Sequence, residues 1–102
     1  MVNRLSFEIP NHLIEGFCRK WKIEELAVFG SALRSDFRPD SDLDVLATFA
    51  EGANWSVFDH WHMSEELTTL LGRKVDIVEK ADLSNPFRRH EILATRRVIY
   101  AS

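Results

Sequence analysis

The chain has 102 residues, a formal net charge of −3, 45% hydrophobic and 28% charged residues. That is enough apolar material for one buried core but not two, and too little clustered positive charge for a general polyanion binder. Its single cysteine, Cys18, excludes an internal disulfide and fits a reducing compartment; no run reaches about 18 apolar residues and no signal-peptide layout opens the chain, so one cytoplasmic domain over residues 1–102 is expected, with neither membrane nor direct nucleic-acid binding.

Residues 1–8 carry no pattern, and Pro10 suits a first helical turn. From 10 to 22 the apolar positions Leu13, Ile14, Phe17, Cys18 and Trp21 recur on one helical face, which predicts a packing helix. Residues 26–29 read as a short, fully apolar strand covered on both faces. Gly30-Ser31 then turns from strand into a short helix over 31–36, followed by a loop over 37–41 broken by Pro39. A second strand covers 43–49, and the polar, glycine-containing stretch 51–54 ends it. A long helix is predicted over 55–71, closed by Gly72 as a left-handed C-terminal residue. On its wheel Met63, Leu67, Leu70 and Leu71 share a face, while Phe58 and Trp61 fall opposite, either as a contact surface or buried if the helix begins later. His60 and His62, at i and i+2, diverge on a helix and are not read as metal ligands. A third strand over 73–79 is followed by a short helix over 87–94 with Ile92 and Leu93 inward, and by an edge strand over 97–100. Arg88, Arg89, Arg96 and Arg97 form a local basic cluster, read as solvated surface in preference to a contact for phosphate or an acidic partner.

The chemistry concentrates in residues 26–46. Side chains two apart on a strand share a face, so Asp42 and Asp44 point the same way at the entrance of the second strand. Two carboxylates about 4 to 6 Å apart repel by roughly 3 to 4 kcal/mol at an effective dielectric near 20, an arrangement poor for stability and good for a divalent cation. Hard oxygen donors suit Mg²⁺ or Mn²⁺, not zinc. Upstream, the free N–H groups of the Gly30-Ser31 turn, with the Ser31 hydroxyl, are suited to phosphate. Arg34 lies one turn after Ser31 and is read as binding triphosphate oxygens, the alternative being a salt bridge to Asp36 or Asp40; Arg38 is a weaker candidate. Asp76 interrupts an otherwise buriable strand, alternating with Val75 and Ile77, and an unpaired mid-strand aspartate needs a cation or a cap.

Gly30-Ser31, ten intervening residues, and Asp42-Leu43-Asp44 resemble the signature of the DNA polymerase β-like nucleotidyltransferase superfamily, with Ser41 also fitting and Lys74-Val75-Asp76-Ile77-Val78 where that family places its third carboxylate. The short chain resembles its minimal nucleotidyltransferase branch. The resemblance implies an α/β fold with a small mixed sheet of three to four strands flanked by helices. It implies two Mg²⁺ ions on Asp42, Asp44 and Asp76, and a nucleotide, ATP by resemblance alone, held by Gly30, Ser31, Arg34 and Ser41. Larger relatives carry an acceptor-holding domain, for which this chain has no room, so a second chain is expected to bring the acceptor. The minimal branch is similar to antitoxins that adenylylate a tyrosine of a HEPN-type ribonuclease toxin. The competing expectations are a binding module that neutralises its partner by covering it, and transfer to a small molecule held by another subunit.

Overall fold

A computed structural model describes residues 11–30 and 42–102. Helix α1 (Asn11–Lys20) buries Ile14, Phe17 and Cys18 along one stripe, and burial among apolar neighbours pushes the Cys18 thiol up to about 12. A two-residue turn leads into β1 (Ile23–Phe29), which pairs antiparallel with β2 (Leu43–Phe49). Helix α2 (Val57–Leu71) carries the chain across to β3 (Val75–Glu79), which lies parallel to β2. Such a parallel return needs a crossover of this kind. After a 3₁₀ turn at Lys80–Asp82, α3 (Pro86–Thr95) leads to β4 (Arg97–Ala101), antiparallel to β1. The four strands lie in the order β3-β2-β1-β4, the mixed sheet expected of the fold.

The ends of α2 follow from local chemistry. Ser56 Oγ accepts from the Asp59 N–H at 3.1 Å, and the Asp59 carboxylate accepts from the Ser56 N–H at 2.9 Å, a reciprocal capping box. These bonds hold the Asp59 carboxyl below the usual carboxylate range, the backbone donor contributing most. At the other end Gly72 takes φ 70°, the left-handed conformation expected of it, and its N–H bonds to the Thr68 carbonyl at 2.9 Å.

The strands divide the core in two. Toward α1 and α2 face Leu26 and Val28 of β1, Leu43, Val45 and Ala47 of β2 and Val75 of β3, packed against Ile14, Phe17, Cys18, Met63 and Leu67. Toward α3 the cluster is small, with Phe29, Leu46 and Ile92 buried and Val78, Leu83 and Leu93 at its margin. Phe58 and Trp61 are exposed, so the reading that buries both rings is corrected.

Several bounds differ from expectation. The first strand starts at Ile23 and takes in Glu24 and Glu25, because Glu25 Oε2 accepts from Arg96 Nε at 2.8 Å across the β1–β4 edge. Trp55 stands outside α2, since its indole N–H donates to the Trp21 carbonyl at 2.9 Å and its ring meets that of Trp21 edge-on at 5.1 Å. The predicted helix over 31–36 and loop over 37–41 lie outside the described residues, as do Ser31, Arg34, Arg38 and Ser41. Among the described residues no helix is long and apolar enough to cross a membrane.

Candidate active site

Residues directly opposite on adjacent strands project from the same face, and neighbouring strands lie about 4.8 Å apart. Asp44 on β2 is paired with Asp76 on β3, and on its other side with Phe29 of β1, the residue before Gly30. The alternation of the strands puts Asp44 and Asp76 on the face that carries Phe29, Leu46 and Val78, the face of α3. Both carboxylates stand at the end of the sheet where β2 and β3 begin. Asp76 is exposed and Asp44 half-buried, while exposed Asp42 precedes β2 by one residue.

The Asp44 carboxyl is pushed above the usual carboxylate range, first by burial, then by the charge of Asp76 and, more weakly, of Asp42, with Arg88 acting in the opposite direction. The charges of Asp76 and Asp42 thus both bear on Asp44. Among the described residues no three acidic, histidine or cysteine side chains close into a metal cage as they stand. The Asp44–Asp76 pair, with Asp42 at its flank, offers the hard oxygen donors that suit magnesium, because Mg²⁺ keeps waters and accepts one or two carboxylates together with substrate phosphates. Hard oxygens, mutual repulsion and access from solvent all fit that ion.

Gly30 serves the same corner in a way the sequence does not announce. It adopts φ +70°, and a Cβ placed there would lie 2.8 Å from Asp44 Oδ2. Glycine is favoured by its backbone conformation, and any Cβ there would make the Asp44 carboxylate shift.

The predicted basic cluster divides. Arg89 Nη1 donates to the Lys80 carbonyl at 3.2 Å, and Arg96 bonds Glu25 and the Leu93 carbonyl, so both tie the fold together. Arg88 is exposed in the first turns of α3, in keeping with its reading as solvated surface, and its charge opposes the upward shift of the Asp44 carboxyl. His60 is no part of this corner: its Nε2 stands 3.9 Å from Glu79 Oε1 and its ring meets Phe49 edge-on.

Comparison with known proteins agrees with this architecture. The nucleotidyltransferase domain family model matches residues 11–99. The protein adenylyltransferase MntA of Thermococcus cleftensis is 33% identical over 81 residues, covering 79% of this chain and 77% of that protein. A solved structure provisionally identified as a minimal nucleotidyltransferase shares 35% identity with a TM-score of 0.68, covering 84% of this chain and 85% of its own. A Shewanella oneidensis structure of a tri-AMPylated HEPN toxin with an MNT antitoxin aligns at 18% identity and a TM-score of 0.63, covering 90% and 70%, a likeness of fold. With an acidic pair on parallel strands beside a positive-φ glycine, and with the family model spanning most of its length, the chain belongs to the nucleotidyltransferase domain family and is a nucleotidyltransferase of the minimal type.

Proposed function

We propose that the chain is a magnesium-dependent protein adenylyltransferase, moving AMP from ATP onto a tyrosine hydroxyl of a HEPN-type ribonuclease toxin for which it is the antitoxin. The observation that carries the chemistry is the Asp44–Asp76 register beside Gly30, two carboxylates brought together where their repulsion has no structural use. Support for a protein acceptor comes from the adenylyltransferase relative and from the AMPylated toxin in the Shewanella complex.

Asp42, Asp44 and Asp76 would hold two Mg²⁺, which supply charge neutralisation and Lewis acidity at the phosphates. In the reaction the acceptor hydroxyl attacks the α-phosphorus in line. Its oxygen–phosphorus bond forms as the bond to the bridging α–β oxygen breaks, and pyrophosphate departs with that electron pair. Asp76, the more open carboxylate of the pair, takes the hydroxyl proton. Gly30, Ser31, Arg34 and Ser41 hold the phosphates that leave, the glycine by letting the backbone come close.

Incubation with ATP labelled at the α-phosphate, Mg²⁺ and the partner toxin tests the reading. Label should appear on the toxin with the wild-type chain and be lost with Asp42→Ala or Asp44→Ala. Absence of transfer, or transfer unchanged in both variants, overturns it. A triple variant lacking all three carboxylates that still protects cells would favour neutralisation by covering the partner.

A further inference from the structure

The exposed residues of α2, Val57, Phe58, Trp61, His62, Glu65 and Thr69, follow one another along a single helix face, opposite the wholly buried Met63 and Leu67. The first half of this stripe is apolar and open: Val57, Phe58 and Trp61 are 84%, 76% and 59% exposed. Ordered backbone holds them out. The capping box of Ser56 and Asp59 fixes the turn that carries Val57 and Phe58, and the His60 ring, edge-on to Phe49, ties the next residue to the end of β2. Large aromatic side chains presented on a rigid helix are what a protein interface offers.

Beyond Trp61 the stripe enters a groove of about 400 Å³ between the end of α1 and α2, lined by Lys20, Trp21, His62, Glu65, Glu66 and Thr69. Its charge decides what can cover it. Helix α2 carries Asp59, Glu65 and Glu66 and no lysine or arginine. Asp59 is engaged in the cap, and Glu66 accepts from Lys20 and from the Trp21 indole. Glu65 stands exposed at the rim with no cation beside it among the described residues. Nucleic acid or an anionic lipid surface would meet these carboxylates with no basic side chain on the helix to offset them. A second copy, related by a two-fold axis through Trp61, would lay Val57 and Phe58 of one helix against Glu65 of the other. The complement is a protein surface with apolar side chains for Phe58 and Trp61 and a lysine or arginine for Glu65.

We propose that this stripe of α2 is the docking surface for the partner protein, which meets it with apolar side chains beside a basic one. The proposal rests on the adenylyl-transfer reading for the partner's identity and deepens it. Helix α2 packs on the sheet face opposite the one that carries Asp44 and Asp76, and its first turn follows the end of β2 farthest from Asp44. Docking and transfer therefore use separate surfaces, and the segment that bears the acceptor hydroxyl extends past the docked face to reach the carboxylates.

Calorimetric titration with the partner toxin, and separately with Mg²⁺ and a non-hydrolysable ATP analogue, tests this on the wild-type chain and three variants. Joint Phe58→Ala and Trp61→Ala substitution should weaken the toxin complex by about 30-fold or more, the loss expected of aromatic hot spots, and leave nucleotide affinity unchanged. Glu65→Lys should weaken the toxin complex by about tenfold and make it less sensitive to salt. Phe87→Ala, which removes an equally exposed ring from α3 on the other face, should change neither affinity. Toxin affinity unaltered in the double variant overturns the proposal, as does a loss confined to Phe87→Ala. Unchanged affinity and salt dependence in Glu65→Lys overturn the basic partner surface. Sedimentation that shows a wild-type dimer dispersed by Trp61→Ala would assign the stripe to a second copy and overturn it too. A wild-type chain that neither binds nor labels the toxin would instead overturn the underlying reading, and the stripe's occupant with it.

Discussion

The two faces of the sheet are built to different ends. Toward α1 and α2 the side chains are apolar and closed over, and α2, with its capping box and its left-handed C-terminal Gly72, lies there. Even the polar groups at its rim are matched: Lys20 Nζ and the Trp21 indole N–H both donate to Glu66 Oε1, at 2.9 and 3.2 Å. Toward α3 three buried residues make the core, and the same strands that end in it carry Asp44 and Asp76 side by side. One face holds the fold together, and the other can hold unfavourable charge because the first is secure.

The sharpest way to break that comparison is to neutralise the carboxylate pair. Asp44→Asn should lower nucleotidyl transfer about 1,000-fold, as expected when several kcal/mol of metal-dependent stabilisation is lost. Without metal the same change should raise stability by about 1 kcal/mol through relief of repulsion, seen calorimetrically as a melting temperature higher by about 4 to 8 °C. The sign follows from the raised Asp44 pKa. As pH rises the unfolded chain ionises at its lower value while the folded chain still retains the proton, so Asp44 costs the wild type stability through that window. The gain from Asp44→Asn should therefore be full above the folded pKa and vanish as pH falls below the unfolded one, near 4. Lower stability of Asp44→Asn at neutral pH would mean that this carboxylate is structural.

On the closed face Leu67, wholly buried, should behave in the reverse sense. Leu67→Ala should cost about 2 to 5 kcal/mol in urea unfolding, a large part of a small domain's stability, while any folded fraction keeps its specific activity. Gly30→Ala sits between the two. A left-handed backbone with a Cβ costs roughly 1 to 2 kcal/mol, and that Cβ, 2.8 Å from Asp44 Oδ2, must displace the carboxylate. Denaturant midpoint and Mn²⁺ affinity should fall together, which separates it from both other variants.

What the sequence discloses follows the same division. Periodicity and spacing are local, and they place α1, α2, the strands that carry Asp44 and Asp76, and the left-handed Gly72. Asp76 is legible because a charge alternating with Val75 and Ile77 contradicts its surroundings. The entry of Glu25 into β1 is not, since its partner Arg96 lies 71 residues away. Trp55 leaves the helix pattern for another non-local reason, its bond to Trp21, 34 residues away. The demand of Asp44 on Gly30 likewise exists only once β1 and β2 are paired.

The most direct measurement is titration of the wild-type chain with a non-hydrolysable ATP analogue, in Mg²⁺ and then in EDTA, alongside Asp44→Asn and Asp76→Asn. Tight nucleotide uptake by the wild type in Mg²⁺, abolished by the chelator and by either substitution, is the result predicted by carboxylates that gather a cation for phosphate. Uptake that is indifferent to both chelator and substitution would contradict it.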